Sequence, residues 1–258
     1  MAALSLWPFA VRAAEFRGLI EPHRVIKIGS PQPGVLASVN VERGDFVKKG
    51  QVLATLQSGV EKAAMEVARY RAVMEGGIKA KQANLDFFGI KKDRIEILHK
   101  KQLAAQAELD EAEANRLVSE MQLKEALENK QLSELDYKRA AEVVERMTIR
   151  SPVDGVVVER FMSPGEYVEK DPIVKLAEID PLNVEVIMPA AQLLSVKVGM
   201  NATVIPEAPV NGKFTATVKV VDRVVDAASG TFGVRLEFPN PGHRLPAGLK
   251  SRVVFPGK

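Results

Sequence analysis

Hydrophobic and polar residues alternate with two different periods along this chain. Toward the C-terminus, Phe214, Ala216, Val218 and Val220 alternate with Thr215, Thr217 and Lys219, and Val234, Leu236 and Phe238 alternate with Arg235 and Glu237. A period of two points one set of side chains at a core and the other at solvent, which predicts half-buried antiparallel strands. Turn-rich stretches at Pro206 to Gly212, Ala227 to Gly230 and Pro239 to Gly242 separate these strands at the short intervals of a small barrel. The segment from Glu15 to Ile28 is also β-like, has no partner nearby in sequence, and is expected to close that barrel.

The middle of the chain follows a different period. From Gly59 to Met147 proline is nearly absent and Ala, Leu, Glu, Lys, Gln and Arg dominate, a composition that favours helix. Val60, Ala63, Val67, Tyr70 and Met74 alternate three- and four-residue steps, the spacing of a coiled-coil seam. Leu117, Met121, Leu127, Leu132, Leu135, Val143, Val144 and Met147 continue the apolar content with a less regular period. One unbroken helix of roughly 85 residues would span about 130 Å. Lys91, Lys92, Arg94, Lys100 and Lys101 precede a cluster of Glu108, Asp110, Glu111 and Glu113. Cations suit a helix C-terminus and anions the next N-terminus, so the helix is expected to reverse at Gln102 to Ala105. Two arms of about 40 residues then form a projecting antiparallel hairpin on the order of 60 Å long. Gly76, Gly77 and Gly89 mark positions for a kink or break in its first arm.

A repeat brackets this insert and requires it to double back. The stretch from Gly34, GVLASVNVERGDFVKKGQVLATL, matches that from Gly155, GVVVERFMSPGEYVEKDPIVKLA, in constant register. Gly34 aligns with Gly155, Gly44 with Gly165, Asp45 with Glu166, Phe46 with Tyr167, Val47 with Val168 and Val52 with Ile173. Each copy reads as short strands around glycine turns, with the acid after the turn glycine able to bond the turn backbone. Gly34, Gly44, Gly50, Gly155 and Gly165 are the expected turn positions. Neither copy can bury an apolar face alone, so the two are expected to be halves of one module split open by the hairpin. Gln57 to Gly59 and Thr148 to Pro152 then become paired crossings and hinge candidates.

Composition narrows the function. The 258 residues carry a net charge of +3 and 5% aromatics, without a long basic run interleaved with rings, so no nucleic-acid partner is expected. The absence of cysteine removes disulfides, thiolate metal sites, thiol catalysis and a lipid-attachment cysteine. No apolar run reaches the roughly 18 to 20 residues of a bilayer span, so the mature chain is expected to be soluble. Residues 1–14, with an apolar stretch from Ala2 to Val11 and small residues at Ala13 and Ala14, resemble the tail of a secretory signal. They lack a basic start and carry Arg12, and a frayed N-terminus is the competing reading.

The order of these parts, with IDPLNVEVIMP from Ile179, ASGTFGVRLEF from Ala228 and LPAGLKSRVVF from Leu245, resembles the periplasmic adaptor, or membrane-fusion, proteins of tripartite efflux systems. It most resembles adaptors of resistance-nodulation-division (RND) pumps. The resemblance implies an elongated fold of mixed α and β: a split lipoyl/biotinyl-like β module interrupted by a long antiparallel α-helical hairpin, then a small antiparallel β-barrel. Residues 15–33 would add an N-terminal strand to the barrel, 34–58 and 148–180 would be the two lipoyl-like halves, 59–147 the hairpin and 181–258 the barrel. It further implies a periplasmic protein at the inner membrane that links an inner-membrane transporter, RND or ABC, to a TolC-like outer-membrane channel. A homo-oligomeric ring, frequently of six subunits, is implied as well. Family hairpin tips often carry Arg, Leu four residues on, and Ser eleven residues from the Arg. Arg94 and Leu98 match, and Ala105 stands where the serine is expected. Three residues before Glu108, that serine would complete a capping box. The chain ends right after the last barrel strand, so contact with a pump is expected to rest on the barrel and the lipoyl-like module.

Enzymatic alternatives lack the necessary arrangement. Lys62 stands near where a lipoyl or biotinyl lysine would follow the first half, but a carrier needs it on a tight protruding β-turn, and no MKM triplet occurs. No cofactor is expected. His23, His99 and His243 show no ligand spacing and read as solvated surface residues. Ser151 and Ser163 have no nucleophile context, and methionines such as Met65, Met74, Met121 and Met147 are spread along the helical insert as packing residues.

Overall fold

The computed structural model describes residues 14–210 and 212–256, so the signal-like reading of residues 1–14 lies almost wholly outside the described residues. The chain divides into two compact units, one formed by residues 1–55 and 149–258 and the other by residues 56–148.

In the first unit the repeat becomes a pseudo-twofold sandwich. Its strands are β1 (Ala14–Ile28), β2 (Gly34–Val39), β3 (Phe46–Val47), β4 (Val52–Leu56), β5 (Thr148–Arg150), β6 (Gly155–Arg160), β7 (Tyr167–Val168) and the start of β8 (Val174–Pro189). β2 pairs with β7 through Gly34 and Val168, and β3 pairs with β6 through Val47 and Gly155, so each copy contributes the same strand to the other. Backbone bonds obey the same exchange: Leu36 donates to the Glu166 carbonyl and Val157 to that of Asp45, each at 2.9 Å, while Gly44 donates to Val157 and Gly165 to Leu36, each at 2.8 Å. Reciprocal pairing lets Leu36, Val47, Leu53, Val157, Val168 and Ile173 share one buried interior that neither copy could enclose alone. Gly44 and Gly165 sit in left-handed turns with φ of 96° and 92°, and the Asp45 carboxylate accepts from the Glu42 amide at 2.8 Å. Gly34 and Gly155, expected at turns, instead open strands β2 and β6. At Gly155 the requirement is close approach, since a Cβ there would meet the Ala177 carbonyl oxygen at 2.5 Å.

Beyond the sandwich, β8 continues and is joined by β9 (Asn201–Pro206), β10 (Phe214–Val221), β11 (Thr231–Phe238) and β12 (Lys250–Phe255). The order β1-β12-β9-β10-β11-β8 closes on itself because β1 also pairs with β8. Ile20, Val253, Val204, Val218, Leu236 and Val184 supply one fully buried residue from each of the six strands, which fills the small interior with side chains. β1 therefore closes the barrel from a position far away in sequence.

The second unit holds α1 (Gly59–Val73), α2 (Gly76–Lys100) and α3 (Gln106–Arg146). Both α1 and α2 pack on α3. Within the three helices only Ala72, Ala112 and Ser119 are buried, and none of the α2 residues is. Two helices side by side can close over small side chains alone and leave the larger apolar ones partly in solvent. The first arm breaks at Met74, whose extended ψ of 123° ends α1, so the interruption precedes Gly76 and Gly77. Gly89 stays inside α2, where backbone bonds on both sides hold the helix. Across this break Lys130 of α3 reaches Glu75 at 3.2 Å.

Candidate docking site at the helical turn

The turn between α2 and α3 is built by backbone bonds. The Gln102 amide donates to the His99 carbonyl at 2.8 Å and that of Leu103 to the Leu98 carbonyl at 2.9 Å. This is a Schellman termination, which requires a left-handed residue after the helix. That residue is Gln102, with φ of 59°. The preferred glycine is absent, and an L side chain there costs about 1–2 kcal/mol. His99 adds a brace: its Nδ1 lies 3.0 Å from the Ala104 carbonyl oxygen. A carbonyl only accepts, so Nδ1 carries the hydrogen.

Ala105 occupies the N-cap of α3 with extended φ and ψ of −74° and 154°, and its side chain makes no capping bond. The Glu108 amide instead folds back to the Ala105 carbonyl at 3.1 Å. His99 and Lys100 end α2 and Glu108 begins α3, each placing its charge against the favourable end of a helix dipole.

Arg94 and Leu98 lie one turn apart on α2, and both are exposed. Around them, Glu96 holds Lys92 at 2.5 Å and Lys100 at 2.8 Å. Hydrogen bonds from Lys100 and Lys92 pull the Glu96 carboxyl down to about 2, and the bond that Lys92 donates to Glu96 raises Lys92. Among the described residues, Arg94 makes no hydrogen bond or ion pair, so its guanidinium presents five free donors beside neutralised lysines. Ile90, Ile97 and Leu103 add large exposed apolar surface to the same end of the hairpin. The combination of an unpaired guanidinium and uncovered aliphatic side chains suits protein docking.

Of the residues singled out from sequence, Arg94, Leu98 and Ala105 belong to this helical end, whereas the repeat glycines belong to the sandwich. Sequence reasoning did not reach the left-handed Gln102 or the His99 brace. Histidine in a last helical turn is a weak signal, because the carbonyl it caps is known only once the turn is built. Each of the three histidines, read from sequence as a solvated surface residue, is half-buried. His243 stacks on Phe46 with centroids 4.8 Å apart and planes 5° from parallel, and His23 faces Glu237. Among the described residues no group of three or more His, Cys, Asp or Glu could hold a metal ion, and no helix is long and apolar enough to cross a membrane.

Residues 24–178 match the family model described as CzcB-like, barrel-sandwich hybrid domain, and residues 182–258 match that described as CusB-like, beta-barrel domain. The macrolide export protein MacA of Yersinia pestis is 26% identical over 248 residues, covering 92% of this chain and 66% of that protein. The toluene efflux pump periplasmic linker protein TtgA of Pseudomonas putida is 24% identical over 253 residues, covering 92% of this chain and 59% of its own length. The chain thus spans under two thirds of the length of these relatives. The crystal structure of MacA from Actinobacillus actinomycetemcomitans shares the fold, with a TM-score of 0.78 at 20% identity over 95% of this chain and 78% of that one. With the CzcB-like barrel-sandwich hybrid model covering more than half of its length and the CusB-like model completing the barrel, the chain belongs to the membrane-fusion protein family.

Proposed function

We propose that this chain is a periplasmic adaptor of an export system, joining an inner-membrane transporter to a TolC-like outer-membrane channel. The observation that carries the reading is the full succession of parts: a split sandwich, a helical hairpin between its halves and a closed barrel, matched over 92% of the chain by a periplasmic linker protein of an efflux pump. Residues 34–58 and 148–180 serve as the sandwich halves, 59–147 as the hairpin, and 181–258 with 15–33 as the barrel. Its role is mechanical and non-enzymatic: the sandwich and barrel stack between subunits of a homo-oligomeric, six-membered ring, and substrate passes along the assembled lumen. An RND pump is the favoured transporter, and an ABC exporter or a metal-ion pump is the alternative. Arg94, Leu98 and the turn at Ala105 meet the channel, supported by the unpaired guanidinium and the bare aliphatic side chains beside it.

The test uses the absence of cysteine. A single Arg94→Cys variant in intact Gram-negative envelope is crosslinked and its partner identified by mass spectrometry. Recovery of an outer-membrane channel is the expected result, and recovery of cytoplasmic proteins alone would overturn both the location and the role. A second crosslinking site on the barrel identifies the transporter class, and native mass spectrometry of the full chain counts the subunits.

A further inference from the structure

Two continuous strands, β1 and β8, carry the chain from sandwich to barrel. Their register is regular on the barrel side, where Gly18 to Pro22 face Val186 to Leu182, and on the sandwich side, where Arg24 to Ile28 face Glu178 to Val174. Between these runs it breaks: His23 alone stands against Ile179, Asp180 and Pro181. Such an irregularity removes ladder bonds and bends the ribbon, so polar side chains must hold the boundary.

Two side chains do so with opposite degrees of completion. Asn240 is buried, and its amide nitrogen donates to the carbonyls of Ile179 and Leu245, each at 2.9 Å, while its oxygen accepts from the Leu245 amide at 3.0 Å. Its backbone amide donates to the Asp180 carboxylate at 2.8 Å. That node is satisfied. His23 is not: its Nδ1 is shielded from solvent and makes no hydrogen bond, although Glu237 Oε2 on β11 lies 3.7 Å away.

The surrounding charges are few. Lys219 on β10 holds the other Glu237 oxygen at 3.1 Å. On β1 itself, Glu21 lies opposite Asn183, as Glu237 does from β11, and Arg24 is bonded to Glu178 of β8. Asn183 donates to the His23 carbonyl at 3.2 Å, which fixes the backbone beneath the ring.

We propose that His23 and Glu237 form a proton-operated latch between barrel and sandwich. A neutral imidazole with its hydrogen on Nε2 turns the Nδ1 lone pair toward a carboxylate and gains nothing by approaching it. When solvent supplies a proton, Nδ1–H closes on Glu237 Oε2 as a charge-assisted bond and ties the irregular point of β1 to a strand that belongs to the barrel alone. A proton on Nδ1 therefore closes the latch, and its loss releases it. Barrel orientation against the sandwich thereby responds to local acidity. The inference concerns this chain by itself and stands apart from the identity of any transporter or channel.

Because the chain lacks cysteine, Lys170→Cys in the sandwich and Val224→Cys in the barrel can be spin-labelled uniquely in the full chain, and their distance distribution recorded at about pH 5.5 and about pH 8. The expected result is a narrow distribution at the lower pH that broadens at the higher. His23→Gln and Glu237→Gln should each lose the narrow component and the pH response. His243→Phe, which keeps an aromatic ring against Phe46, should retain both. An unchanged distribution between the two pH values in the parent chain would overturn the latch, as would a pH response that persists in His23→Gln. Should His23→Gln fail to fold by circular dichroism, Glu237→Gln decides by the same criterion.

Discussion

Restoring a hydroxyl at the cap of α3 tests how the helical turn is held. Ala105 already has the extended backbone of an N-cap, and Glu108 occupies the third helical position. In Ala105→Ser the new oxygen can accept from the Glu108 amide, which now bends back to the residue 105 carbonyl at 3.1 Å. The Glu108 side chain can in turn reach the residue 105 amide and complete a capping box. A serine cap exceeds alanine by about 0.5–2 kcal/mol, so local opening of the first turn should become about 2- to 30-fold rarer. Hydrogen exchange of the full chain, read at the amides of Gln106 to Leu109, measures that opening directly. Ala105→Val is the control, since it changes size without adding an acceptor. Equal protection in the serine and valine variants would refute the capping argument and show that the Schellman turn alone sets the stability of this end.

Three further outcomes follow from particular contacts. Gln102→Gly removes a side chain from φ of 59° and should stabilise the turn by about 1 kcal/mol, seen as stronger protection of the Leu103 amide. Leu236→Ala empties part of the buried barrel layer and should lower stability by about 2–5 kcal/mol in urea melts. The Glu96 carboxyl falls from an ordinary 4.5 to about 2 in the folded chain. Its pairing with Lys92 and Lys100 is thus fully present above about 4.5 and lost as pH falls toward about 2. Helicity should decline through that window, and Glu96→Gln should remove its share of the decline.

Much of the architecture was legible because it rests on periodicity and repetition. The doubled sequence at Gly34 and Gly155 required a shared interior, the helix-forming insert required a reversal, and the charge switch between Lys101 and Glu108 located it. The reversal occurs at residues 101–105. Position of a glycine was less informative than its environment. Gly44 and Gly165 serve left-handed turns, which disfavour a side chain, whereas Gly155 admits a neighbouring carbonyl, which leaves no room for one. The break between α1 and α2 was signalled by Gly76 and Gly77, which it directly precedes, whereas the left-handed Gln102 gave no composition signal, because the backbone bonds of the turn select that conformation against local preference.

By itself the amino-acid order determined the class of each element, the existence of one split module and the family, since these depend on patterns that survive without knowing any neighbour. Tertiary structure alone decided which strand of each copy pairs with which, that β1 meets β12 on one side and β8 on the other, and that, among the described residues, Arg94 is left unpaired while Lys92 and Lys100 share Glu96. It also brought His23 against Glu237, residues more than two hundred positions apart. Such contacts depend on where separate strands come to lie, and a side chain's charge state and bonding follow from those neighbours rather than from its own position in the chain.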